Sequence, residues 1–330
     1  MRSPADFRAA VLWVGFALLS GCGVPEGSRE TAAEIASKTF RRVESFGGPG
    51  VAPGRFNKPR SVVCDREDHV YVVDMTGRVQ RFTPDGRFVL QWQLPETDLG
   101  RPKGLGLDRD GNVLVVEPHY QRVNHFTPEG RLVAQWGSRG TEVGRMILPR
   151  AVVQRPNGDF LVSEYTLVER IQVFPSSVAT TGAAAADATL PTVRTWGTPG
   201  LGEGQFNRAE GLGLGPDGTV WVADSCNHRI QAFDGDGRFL RSWGRAGSAP
   251  GTLGYPYDVK VGRDGVVYVC EFGNSRITVL EPDGTLREVV GKAGSEPGEF
   301  ANPWGIALDS KGNLYVADAM NHRIQKLLRR

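Results

Sequence analysis

The stretch Gln205–Trp243, QFNRAEGLGLGPDGTVWVADSCNHRIQAFDGDGRFLRSW, decides the fold. It reads as four short strands joined by turns. Gly211–Leu214 is an apolar first strand, and Pro216-Asp217-Gly218 turns into Thr219–Ala223. Asn227 opens a third strand over Arg229–Phe233, and Asp236-Gly237 turns into a fourth over Arg238–Trp243. Asp-Gly between β-rich runs signals a hairpin, because glycine accepts the positive φ that tight turns need. A single meander of this size cannot cover both of its faces, so it needs similar neighbours on either side.

The chain supplies them, at a spacing of roughly 40–50 residues, which is the signature of a propeller or solenoid. Each repeat carries a Pro-led first strand, an Asp-Gly-like turn, a β-rich run ending in an acid, an arginine opening the next strand, and usually a closing tryptophan. The first runs from Arg55 to Trp92, the second through Pro102 to Trp136, and the third through Pro149 to Trp196. Gln205–Trp243 is the fourth, and the fifth spans Pro256, Tyr268–Glu271, Arg276 and Asp283-Gly284. The sixth passes through Phe300, Pro303, Tyr315–Asp318 and Arg323, and then the chain stops without a fourth strand. Arg41–Gly47 near the N-terminus looks like that missing strand. The expected architecture is therefore an all-β, six-bladed β-propeller over residues 40–330, its last blade closed by an N-terminal strand. Closure of this kind removes the open edges of a linear array.

The string Gly298-x-Phe300-x-x-Pro303-x-Gly305-Ile306-Ala307-x-Asp309, with Tyr315-Val316-Ala317-Asp318 and Asn321-His322-Arg323-Ile324-Gln325, resembles the NHL repeat. The resemblance covers residues 40–330, tightest at Gln205–Trp243 and Glu299–Gln325 and loosest in the third repeat. There an Ala/Thr/Ser-rich insertion, Pro175–Pro191, falls between the third and fourth strands and is expected as a surface excursion away from any site.

Every second strand ends in an acid (Asp74, Glu117, Glu164, Asp224, Glu271, Asp318), and every third strand begins with an arginine (Arg78, Arg122, Arg170, Arg229, Arg276, Arg323). Strands covered by blades on both sides bury these charges, which must then pair. Because the pairs recur in all repeats, they are scaffold rather than a ring of metal ligands. His228 and His322 belong to the repeat motif, and Trp92, Trp136, Trp196 and Trp243 are expected to fill gaps between blades.

The N-terminus has a different character. Arg2 and Arg8 precede a short apolar run, Ala9–Leu19, then Leu19-Ser20-Gly21-Cys22. The run is shorter than the ~20 residues of a membrane-spanning helix. The string resembles a bacterial lipobox, which implies a lipoprotein signal peptide over 1–21, lipidation of Cys22, a flexible tether over 22–39, and an exported, membrane-anchored protein of the cell envelope, with the outer membrane open to it because Gly23 follows the cysteine. Net charge is +2 over the chain and +1 without residues 1–21, which contain Arg2, Arg8 and Asp6. That balance lacks the basic footprint of nucleic-acid binding. Cys64, Cys226 and Cys270 lie in different repeats, and their odd number leaves at least one unpaired.

In a propeller, the loops entering the first strands and those joining second to third strands share one face around the central opening. The residue after each repeat's proline (Ala209 in the fourth) stands at that mouth: Arg60, Lys103, Arg150, Glu210, Tyr257, Trp304. In the next column Asp258 is the one charged residue among Ser61, Gly104, Ala151, Gly211 and Gly305. This asymmetry departs most from the repeat. It is read as a funnel binding an anionic ligand or a partner protein, with Arg60, Lys103 and Arg150 clustered, Tyr257 and Trp304 across the opening as an apolar wall, and no cofactor or metal. The resemblance leaves enzymes open. Amidating lyases of this architecture hold zinc by channel histidines, but of His69, His119, His125, His228 and His322 none stands in the mouth column, and only His119 with Tyr120 is placed temptingly. Lactonase-like propellers hold calcium with carboxylates and Asn, a reading that rests here on Glu210 and Asp258. RNA-binding NHL domains use a basic face, which the charge argues against.

Overall fold

A computed structural model describes residues 30–179 and 189–330. Gln205–Trp243 folds as its punctuation requires. Strands run Ala209–Leu214, Val220–Asp224, Arg229–Phe233 and Phe239–Trp243, paired antiparallel in sequence order. The first strand begins two residues earlier than expected, and Ser225–Asn227 forms a 3-10 turn ahead of the third.

Five sheets of four strands repeat this meander, beginning at Pro59–Cys64, Gly104–Leu107, Pro149–Gln154, Ala209–Leu214 and Pro256–Val261. The sixth sheet holds Gly305–Leu308, Leu314–Asp318 and Arg323–Arg329. Its fourth strand is Phe40–Gly47, antiparallel to Arg323–Arg329 with Val43 opposite Leu327 and Phe46 opposite Ile324. First strands of successive blades touch all the way round, including sixth against first, so the ring is closed. The chain is a six-bladed propeller sealed by its N-terminal strand.

The stretch read as the end of a tether is built into this blade. Glu30–Glu34 adds a fifth, outermost strand against Phe40–Gly47. Beyond it, Ser37 Oγ and the amides of Lys38 and Thr39 donate to Glu288 of the fifth blade at 2.9, 2.9 and 2.7 Å. A boundary at residue 40 is therefore too late by about one strand. Residues 1–29, with the signal peptide and Cys22, and the middle of the insertion, 180–188, lie outside the described residues. The ends of that insertion do not simply run over the surface. Val178 and Leu190 are buried beside Trp136, Met146 and Phe174, between the second and third blades.

Burial follows position within the blade. All six second strands are buried at every residue, because blades cover both of their faces. The outer strand Phe88–Gln93 instead alternates half-buried and exposed, as period-two geometry dictates. Around the axis the first strands run backbone against backbone. A Cβ on Gly211 would lie 2.6 Å from the Cα of Asp258, so only glycine fits there. Between blades the tryptophans act as expected: Trp92 packs on Phe126, Trp196 on Phe233, and Trp136 on Phe160 and Phe174.

The six acid–arginine pairs form in all blades, at 2.7–3.2 Å. Each is a clamp rather than a bare ion pair. In the fourth blade Asp224 accepts from Arg229 and Gln231 and from the amide of Asn207, while Arg229 reaches the carbonyls of Leu201, Gly202 and Gln205. The buried charges thus satisfy the backbone of the loop that links one blade to the next, which is what a buried polar group requires. His228 and His322 play a related part. Each sits at positive φ after a 3-10 turn, and its Nδ1 accepts an amide of the following blade, Tyr255 or Lys58, at 3.2 Å. Cys64, Cys226 and Cys270 are free thiols.

Candidate functional site

The mouth residues come together. Arg60, Lys103, Arg150, Glu210, Tyr257, Asp258 and Trp304 all line one central cavity of about 500 Å³. Below the charged mouth its wall is apolar, with Val63, Leu105, Val152, Leu212 and Ala307 from the first strands of five blades. Each mouth residue stands just before or within the first three residues of a first strand, and the ring brings those strand starts to one rim.

The charges there are unequal. Glu210 is buried between two arginines: Arg150 Nε donates to its Oε2 at 2.6 Å, with Nη2 also on that oxygen, and Arg208 Nε donates to Oε1 at 2.6 Å. Asp258 does not serve the mouth cations. Its Oδ1 takes Lys260 Nζ at 2.5 Å and its Oδ2 the amide of Ile306 at 3.1 Å, so it ties the fifth blade to the sixth. Arg60 makes one hydrogen bond, Nη1 to the carbonyl of Pro102 at 3.2 Å. Among the described residues no hydrogen-bond or ion-pair partner reaches Lys103 Nζ, which lies 5.9 Å from the ring centre of Trp304. Four cations therefore face one carboxylate.

The electrostatics register that imbalance. Burial, then Arg150, pulls Arg60 down to about 10 against Glu210's attraction. Burial, then Arg150 and Arg60, pulls Lys103 down to about 7. Arg208 goes the other way: burial lowers it, but Glu210 and Tyr257 outweigh burial and hold its guanidinium above the usual range. His119 is held below the ordinary imidazole value by burial and by Lys103, Arg60 and Arg150, although it does not line the cavity.

The aromatic residues are interleaved with the cations rather than ranged opposite them. The Arg60 guanidinium lies 4.5 Å over the Trp304 ring. In a closed ring the sixth blade is the first blade's neighbour, so Trp304 stands beside Arg60 and not across from it. Tyr257 stacks on Phe272 at 4.4 Å, with Arg208 5.3 Å from its ring. Arg150 and Arg208 both cover Tyr165.

Sequence reasoning missed Arg208, Tyr165, Phe272 and Lys260. Tyr165 and Phe272 directly follow the acids Glu164 and Glu271, where other repeats have Met75, Pro118, Ser225 and Ala319. Aromatic departures in that column were the available signal. Arg208 sits two positions before the mouth column at φ 68°, a positive φ that Lys58, Leu148, Tyr255 and Asn302 share in other repeats, and its side chain lines the funnel while theirs do not.

The donors outnumber their acceptors. Arg60 Nε, Arg150 Nη1 and Trp304 Nε1 are buried and have no hydrogen-bond partner among the described residues. A buried donor left without an acceptor costs about 1–3 kcal/mol. A metal fits poorly. No three His, Cys, Asp or Glu side chains converge among the described residues. Glu210 and Asp258, the candidate carboxylate ligands, are already neutralised by arginines and a lysine. His125 is likewise committed: it accepts from Trp136 Nε1 at 2.8 Å, which fixes the proton on Nδ1, facing Asp108 Oδ2 at 3.1 Å.

Residues 206–233 and 300–327 match the NHL repeat. A stretch of 44 residues, 13% of the chain, is 48% identical to the B-box type zinc finger protein ncl-1 of Caenorhabditis elegans, and spans 5% of that protein. Among solved structures, virginiamycin B lyase from Staphylococcus aureus is similar at a TM-score of 0.58 and 16% identity, covering 87% of this chain and 98% of the lyase. A gluconolactonase from Xanthomonas campestris is similar at a TM-score of 0.63 and 13% identity, covering 92% and 99%. At such identities the likeness is one of fold.

Proposed function

We propose that this NHL-repeat propeller is a binding module whose central funnel takes a small ligand with a carboxylate or similar anionic head and an apolar body. One observation carries the reading: the cations Arg60, Lys103, Arg150 and Arg208 line a single cavity in which Glu210 is the one carboxylate that pairs with any of them among the described residues. The excess of cations over acids attracts an anion, and the low-polarity wall strengthens its hydrogen bonds. A volume of about 500 Å³ suits a small molecule, and the apolar channel below the rim takes the remainder of it. The lipobox-like string at Cys22 supports a membrane-anchored protein of the cell envelope that presents this funnel to its surroundings.

The test is a titration of the purified protein with phenylacetate, 3-phenylpropionate and indole-3-acetate, each beside its neutral primary amide, by calorimetry and tryptophan fluorescence. The carboxylates bind and the amides do not. Arg60→Ala weakens binding by about tenfold or more, the worth of one charge-assisted hydrogen bond. Equal binding of acid and amide, or no effect of Arg60→Ala on a carboxylate that binds, overturns the reading.

A further inference from the structure

Among the described residues, Lys103 is the mouth cation whose side chain has no hydrogen-bond or ion-pair partner. Glu210 is taken up by Arg150 and Arg208, and Asp258 by Lys260. The Lys103 amine lies 5.9 Å from the indole centre of Trp304, which it shares with Arg60. An amine beside three arginines in a partly desolvated cavity gives up its proton readily, and burial with Arg150 and Arg60 does lower it to about 7. A neutral lysine amine is a nucleophile.

We propose that Lys103 captures the carbonyl of a small 2-oxo carboxylate as an imine, while Arg60 and Arg150 hold the carboxylate. This rests on the anion-site reading above and names the ligand class. Arg60 and Lys103 line the same cavity and share the Trp304 indole, so a carboxylate held at the Arg60 guanidinium brings an adjacent carbonyl carbon toward the amine. The Nζ lone pair adds to the carbonyl carbon to give a carbinolamine. The two amine hydrogens then leave with the former carbonyl oxygen as water, and a C=N bond remains. No oxidant or further reactant is required, and water reverses the step. An aldehyde without the carboxylate lacks the hold on the arginines, and a 2-hydroxy acid lacks the carbonyl, so the site discriminates on both groups.

The experiment treats the purified protein with pyruvate near pH 7 in the presence of cyanoborohydride, which reduces an imine to a stable secondary amine. Intact mass and peptide mapping locate the adduct, and pyruvate and lactate binding are measured calorimetrically in parallel. A single adduct on Lys103 is expected, reduced about tenfold or more by Arg60→Ala and absent in Lys103→Arg, whose fold is checked by circular dichroism. The wild-type peptide map alone decides the case should that variant misfold. Adducts spread over surface lysines overturn the proposal. Binding of both pyruvate and lactate with Lys103 unlabelled overturns the imine and leaves the anion site standing. Failure of both acids to bind overturns the imine and counts against the anion site for ligands of this size.

Discussion

Replacing Phe46 by alanine separates a ring sealed by its N-terminal strand from one in which that strand is decoration. Phe46 is 6% exposed and its ring lies 5.0 Å from Phe82 and 6.4 Å from Phe56, in the cluster between the sixth and first blades. The ring also packs over Gly86, which has no side chain of its own to fill the space the ring leaves. A buried Phe→Ala change costs about 3–5 kcal/mol. At about 2 °C per kcal/mol for a domain of this size, that is roughly 6–10 °C in Tm. Arg42→Ala on the same strand is the control. Its side chain is half exposed and its ion pair to Glu44 is 3.8 Å long, so its effect stays within about 0.5 kcal/mol. Differential scanning calorimetry of both variants at one protein concentration reads the difference. If Phe46→Ala melts with Arg42→Ala, the strand does not seal the ring and the reasoning from burial fails.

The two mouth arginines that look alike in sequence should behave differently. Arg60→Ala leaves stability unchanged or raises it, because burial and Arg150 disfavour that charge. Arg150→Ala lowers stability, though by less than the ~3–5 kcal/mol of an orphaned buried charge, because Arg208 stays with Glu210; urea melts of the pair decide. Lys103 titrates near 7 in the folded protein against 10.5 ordinarily, so the unfolded chain binds its proton over that interval and the Lys103 contribution to stability rises with pH there. Lys103→Met removes that rise, seen as a flatter stability profile between about pH 7 and 10; a profile unchanged from the parent contradicts the placement of this amine among Arg60, Arg150, Arg208 and His119. Cys22→Ser should release the protein from membranes and abolish fatty-acid labelling, and a variant that still fractionates and labels like the parent rejects lipidation.

The fold was legible because repetition amplifies weak signals. One Asp-Gly turn is ambiguous, but Asp217-Gly218, Asp264-Gly265 and Lys311-Gly312 at matching positions are not. The acid–arginine column was legible for the same reason, although its service to the linking loops depends on backbone placement that spacing does not encode. The site was legible where the mouth column broke the repeat, which located Arg60, Lys103, Arg150, Glu210, Tyr257 and Trp304 together. Partnerships within it were not. Asp258 turns to Lys260, two residues along its own strand, and Arg208 joins Glu210 as a second contribution of the fourth blade to the rim. Trp304 joins Arg60 because closure makes the ends of the sequence neighbours. The strand Glu30–Glu34 escaped notice because its short, small-residue run carries no alternation and owes its form to the edge it meets.

The proposed anion site in the funnel is tested most directly by diffraction. Crystals of the protein grown without divalent anions are soaked in selenate, and the selenium is located by its anomalous signal. The expected result is a peak in the central cavity beside the Arg60 guanidinium or Lys103 Nζ, lost in Arg60→Ala crystals under the same soak. Selenate bound only at surface lysines and arginines, with no peak in the central cavity, would contradict it.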